Sequence, residues 1–145
     1  MPAMPRYRAV MDTNVLYAGL RSREGASFQL LRLLRTGQWT LLLSNTAATE
    51  YEEILLREAT MLGITQEETS KLLDDLCVLA ERWHLSGCWQ PLLSDPDDEA
   101  FAQLASESKA DYLVTHNQRH YEPIQQHGIR VVTPKAFLDT VRAGT

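Results

Sequence analysis

The sequence predicts an α/β fold, a three-layer sandwich with helices covering both faces of a central, mainly parallel sheet. Two observations carry this expectation. Short apolar runs of strand length alternate with stretches whose apolar residues recur at helical spacing, the pattern of successive βαβ units. Several of those runs also end in polar clusters, as strands do where a parallel sheet presents side chains at its carboxyl edge. At 145 residues, 44% hydrophobic and 23% charged, the chain has the size and balance of one globular domain spanning 1–145.

Taken in order, Arg8-Ala9-Val10-Met11 reads as a buried strand whose tip is Asp12-Thr13-Asn14. Phe28, Leu30, Leu31, Leu33 and Leu34 mark a helix over Ser27 to Arg35 that stops at Gly37. Trp39 to Leu43 is a second strand, after which Asn45 or Thr46 offers the cap of a helix carrying Glu50 and Glu53. Gln66 to Trp83 reads as one long amphipathic helix, with Leu72, Leu73, Leu76, Leu79 and Ala80 on one face. Thr65 and Glu68 have the spacing of a capping box at its start. Ser94-Asp95-Pro96-Asp97-Asp98 turns into a helix through Ser108, with Asp95 or Asp97 as its cap. Asp111 to Thr115 is a third strand tipped by His116-Asn117, and Gly128 to Val132 a fourth. Thr133 caps a final helix with Pro134 at its first position.

Composition narrows the function. No apolar run is long enough to cross a membrane, and residues 1–5, expected as a loose tail, form no export signal, so a cytoplasmic protein is expected. Cys77 and Cys88 are then most simply reduced thiols. With 14 basic against 19 acidic residues, the chain cannot coat nucleic acid by charge alone. A nuclease remains open, because metal-binding carboxylates count as negative until the cation arrives.

The chemistry gathers at strand tips. Asp12 and Asn117 follow strands, while Glu50 and Asp98 lie near helix starts that face the same edge if the strands are parallel. Clustered carboxylates are costly unless a cation offsets them. Oxygen-only ligands favour Mg²⁺ or Mn²⁺, which suit phosphodiester chemistry. Thr13, Asn14, Ser44 and Thr115 have the chemistry to orient those carboxylates by hydrogen bonds; turn or cap duty is the plainer reading of each. Glu52 and Glu53 compete with Glu50. His116 and His120, four apart, lack a third ligand and read as solvent-facing rather than as a zinc pair. Arg21, Arg23 and Arg119 read as solvated surface, with RNA phosphates as the alternative partner.

These residues carry a family resemblance. Val10-Met11-Asp12-Thr13-Asn14-Val15-Leu16 resembles the opening motif of PIN-domain nucleases. Glu50-Tyr51-Glu52, Asp95-Pro96-Asp97-Asp98 and Tyr112-Leu113-Val114-Thr115-His116-Asn117 resemble the family's later blocks, in order, from about Arg8 to Leu138. The chain looks similar to the bacterial branch of VapC-like toxins of type II toxin–antitoxin pairs. The resemblance implies a PIN-like sandwich and a metal-dependent endoribonuclease acting on RNA, with Asp12, Glu50 and Asp98 as metal ligands. Asp98 is preferred to its neighbours because the family's third acid stands three residues before an apolar helix position, here Phe101. A small antitoxin is the implied partner, and the surplus leucines suit an antitoxin groove or a homodimer surface. Many members carry a fourth acid where this chain has Asn117, whose amide oxygen still ligates metal but brings no charge.

Two other classes fit less well. An aspartyl phosphotransfer enzyme of the haloacid-dehalogenase type needs a second Asp two residues after the first, where this chain has Asn14. A receiver domain needs a strand-terminal Lys, which Lys71, Lys109 and Lys135 do not supply. A catalytically degenerate binding module would draw on Asn117, but it gives no reason for keeping three acids together.

Overall fold

The computed structural model describes residues 7–144, so the expected N-terminal tail lies outside the described residues. Five parallel strands form one sheet in the order β3-β2-β1-β4-β5, comprising β1 (Arg8–Met11), β2 (Thr40–Ser44), β3 (Glu81–Trp83), β4 (Tyr112–Val114) and β5 (Arg130–Val132). The order follows from composition. β1, β2 and β4 are buried along nearly their whole length, whereas β3 and β5 keep exposed or half-buried positions and lie at the edges.

The helices are α1 (Thr13–Arg21), α2 (Ala26–Arg35), α3 (Asn45–Arg57), α4 (Ala59–Leu62), α5 (Gln66–Leu79), α6 (Pro96–Glu107) and α7 (Pro134–Ala143). α2 packs on α1 and α7, while α3 packs on α5 and α6, and these groups flank the sheet as an α/β/α sandwich. Gly19 lets α1 and α2 approach, since a Cβ there would stand 3.2 Å from the Ser27 backbone. In the core, Trp39 donates from Nε1 to the Leu30 carbonyl at 2.7 Å and meets Phe137 edge-on at 5.4 Å. Tyr51 stacks on Phe101 at 5.8 Å, and its hydroxyl donates to the Met11 carbonyl at 2.6 Å.

Three local expectations are corrected. The long helix ends at Leu79, and Glu81 to Trp83 form β3 instead. The apolar period overran because Ala80 continues it, but Glu81 gains the Arg8 guanidinium, at 2.5 Å, only by turning extended beside β2. The cap of α3 is Ser44 rather than Asn45 or Thr46, its Oγ accepting from the Ala47 N–H at 3.1 Å. Thr13 and Asn14, read with Asp12 as the tip of a strand, instead open the helix α1 (Thr13–Arg21), with Val15, Leu16 and Gly19 buried at helical spacing. A 3₁₀ segment (Gln118–His127) also follows β4, where no element was expected. The Thr65–Glu68 capping box is present, both bonds measuring 3.0 Å, and Asp95 caps α6.

Tyr51→Phe tests the tie between α3 and the end of β1. It leaves the Met11 carbonyl without the bond it accepts from Tyr51 while preserving the ring stack. Its expected cost is about 1–3 kcal/mol in urea-denaturation stability; an unchanged midpoint would show that the bond contributes nothing.

Candidate active site

β1 is the strand from which the chain departs in both directions. Its first crossovers lead to β2 and β3, and the later ones return past it to β4 and β5. A crevice opens at such a reversal, beyond the carboxyl ends of β1 and β4. The register Val10↔Leu113, Met11↔Val114 brings the next residues, Asp12 and Thr115, side by side. The Asp12 N–H donates to the Val114 carbonyl at 2.9 Å, and the Thr115 hydroxyl donates to Asp12 Oδ2 at 2.7 Å. A slip of one residue in either strand would turn that strand's side chain to the opposite face.

Asp12, Glu50, Asp98 and Asn117 all line one cleft of about 460 Å³. Asp12, at the start of α1, is 6% exposed, and Asp98, in the first turn of α6, is 9% exposed. Glu50 is half-buried on α3, and Asn117 is exposed. Glu52 and Glu53, the competitors of Glu50, are exposed and do not line the cleft. Of the four polar residues considered for orienting carboxylates, Thr115 bonds one directly, and the backbone of Thr13 favours the charged form of Asp12. Asn14 instead accepts from the His116 N–H at 3.3 Å, joining the tips of β1 and β4, and Ser44 caps α3. Asn117 donates its backbone N–H to Thr115 Oγ1 at 3.0 Å, so its amide borders the same hydroxyl that orients Asp12.

Two residues of the 3₁₀ segment contact Asp98. The fully buried Tyr121 donates its hydroxyl to Asp98 Oδ1 at 3.1 Å and also borders Asp12. His120 Nδ1 lies 3.2 Å from Asp98 Oδ2, which corrects the expectation that this histidine faces only solvent. Asp95, Asp98 and His120 each offer a ligand atom within 4.8 Å of the others. Sequence reading missed Tyr121 because its polar function depends on the irregular segment folding back under the cleft. The signal available was a lone aromatic four residues beyond Asn117.

Burial pushes the carboxyl of Asp12 above its ordinary range, although bonds from Thr115, Thr13 and Tyr121 oppose the shift. Asp98 is raised by burial and then by the charge of Asp12. Glu50 is raised by burial and by Glu53 and Asp97, with Arg57 opposing. The Tyr121 hydroxyl is pushed far up by burial and by both aspartates, so it stays a donor. The protein therefore holds like charges together at a cost when nothing offsets them. A hard divalent cation fits this donor set of carboxylate and amide oxygens.

The pH dependence follows from the sign of these shifts. A carboxyl whose folded pKa is raised favours the fold while protonated, and that contribution is lost as pH rises through the folded value. Without metal, Asp12→Asn is therefore expected to stabilise the protein at pH 7, the gain shrinking to nothing as pH falls below about 4, near the unfolded aspartate pKa. Melting temperatures of parent and variant across pH check this; a variant less stable at pH 7 would make Asp12 a structural residue.

No curated protein matches the chain significantly. A PIN domain family model matches residues 8–119, which takes in β1, α3, the acidic turn before α6, β4 and every cleft residue named above except His120 and Tyr121. Proteins of this family are generally nucleases that use divalent metal ions. On that match, and with the five-stranded parallel sheet, the chain belongs to the PIN domain family.

Proposed function

We propose that this protein is a metal-dependent endoribonuclease and the toxin of a type II toxin–antitoxin pair. The observation that carries the catalytic part is the convergence of Asp12, Glu50, Asp98 and Asn117 on one cleft at the reversal of the sheet. Asp12, Glu50 and Asp98 would hold Mg²⁺ or Mn²⁺, with the Asn117 oxygen beside them. A cation bound there supplies charge for the phosphate oxygens and a more acidic water. Thr115 and Tyr121 fix the rotation of Asp12 and Asp98, the supporting role that partners of metal ligands play. His120, half-exposed at the rim and touching Asp98, is placed to give a proton to a departing oxygen.

The toxin assignment rests on the sequence resemblance and on surface character. A second groove, lined by Leu20, Phe28, Leu31, Leu72, Leu76 and Leu79, runs between α1–α2 and α5. Beyond it Val78 is 84% exposed and Met61 70%. A small antitoxin or a second copy of the chain would cover such apolar surface. No helix among the described residues is long and apolar enough to cross a membrane.

Cleavage of RNA by purified protein is expected with added Mn²⁺ or Mg²⁺, to disappear in excess EDTA, and to fall at least a hundredfold in Asp12→Asn and Asp98→Asn. Undiminished cleavage in EDTA would contradict a metal centre. A parent protein that neither cleaves RNA nor gains stability from Mn²⁺ would favour the degenerate binding module. Expression alone should arrest bacterial growth, and Asp12→Asn should abolish the arrest; equal growth with either protein would remove the toxin role.

A further inference from the structure

The two long walls of the cleft are helices. On α1, Asn14, Tyr17, Ala18 and Arg21 line it at successive turns of one face. On α3, Glu50, Ile54 and Arg57 do the same. Both walls run from the carboxylates to an arginine in the last turn of the helix. Seven residues at 1.5 Å each separate the two ends of either wall by about 10 Å. Between the ends, the half-buried Tyr17 ring and Ile54 supply apolar surface.

Neither arginine enters an ion pair among the described residues. Arg21 sits over the Tyr17 ring, its guanidinium carbon 6.0 Å from the centroid, which holds the ring and the charge as one unit facing the cleft. An acidic end, an apolar middle and a far end where Arg21 and Arg57 outnumber Glu58 match a nucleotide flanked by two phosphates. The span of about 10 Å is well beyond the ~3.4 Å step of a stacked strand, so the next phosphate outward reaches the arginines when the strand is extended.

We propose that Tyr17, Arg21 and Arg57 form a nucleotide-binding subsite on this groove. The Tyr17 ring stacks on the base beside the phosphate held at the carboxylates, and the two arginines meet the next phosphate outward. The proposal rests on the nuclease reading for which end holds the scissile phosphate. It adds a requirement for an unpaired base at that position, because a base inside a duplex cannot reach a ring on the wall of a groove between two helices.

Binding of a fluorescein-labelled decauridylate, read by anisotropy in an Asp12→Asn background so that the probe stays intact, tests this. Tyr17→Ala should weaken binding roughly tenfold, the scale of one base–ring stack, while Tyr17→Phe should bind like the parent. Arg21→Ala and Arg57→Ala should each weaken binding and lower the salt slope by about one. The same probe paired with its complement should bind less tightly. Tyr17→Ala binding as tightly as the parent, while RNA cleavage remains metal-dependent, overturns the subsite alone. Metal-independent cleavage together with weakened binding by Tyr17→Ala overturns the metal centre and leaves the subsite standing. A parent that binds neither form of the probe overturns the subsite, while the metal centre is decided separately by the dependence of cleavage on metal.

Discussion

Asp12 and Asp98 are both buried and held against each other's charge. Each is raised above its ordinary pKa chiefly by burial, and Asp98 also by Asp12. Much of the surrounding structure can be understood as what makes that juxtaposition tolerable. Thr115 and Tyr121 direct their hydroxyls at the two carboxylates, and the N-termini of α1 and α6 bring partial positive charge to the same place. These contributions do not cancel the desolvation. The remaining imbalance is what a bound cation would offset, since one cation neutralises several carboxylates together.

The sheet sets the geometry of this compromise. With β1 in the middle and the crossovers reversing beside it, two strand ends deliver Asp12 and Thr115 while two helix starts deliver Asp98 and Glu50. Tyr51 follows Glu50 and reaches under it to the Met11 carbonyl, so the segment that carries the glutamate is fastened to the strand that carries Asp12. Packing and chemistry thus share neighbouring residues, and a change at Tyr51 is felt at the site by way of the backbone.

Much of this was legible in the order of residues. The apolar runs of β1, β2 and β4 are continuous because those strands are buried on both faces, and their polar tips mark the functional edge. Asp12, Glu50, Asp98 and Asn117, singled out in the sequence, all reach one cleft, as do Asp95 and Asp97. Legibility failed where tertiary contacts override local pattern. Glu81-Arg82-Trp83 continues a helical period yet pairs with β2, drawn by an ion pair to Arg8 that sequence spacing cannot show. α1 was hidden because its polar first turn, Thr13-Asn14, looks like the end of a strand. Tyr121 and His120 belong to an irregular segment with no periodicity, and they approach Asp98 only after the chain has turned back.

The central claim is that the two buried aspartates share a divalent cation. Crystals grown with Mn²⁺, with diffraction collected at the manganese edge, test it most directly. The account predicts an anomalous peak within coordination distance, about 2.0–2.3 Å, of a carboxylate oxygen from both Asp12 and Asp98. A peak bound only by Asp95 and His120, or no peak near Asp12 at saturating Mn²⁺, would contradict it.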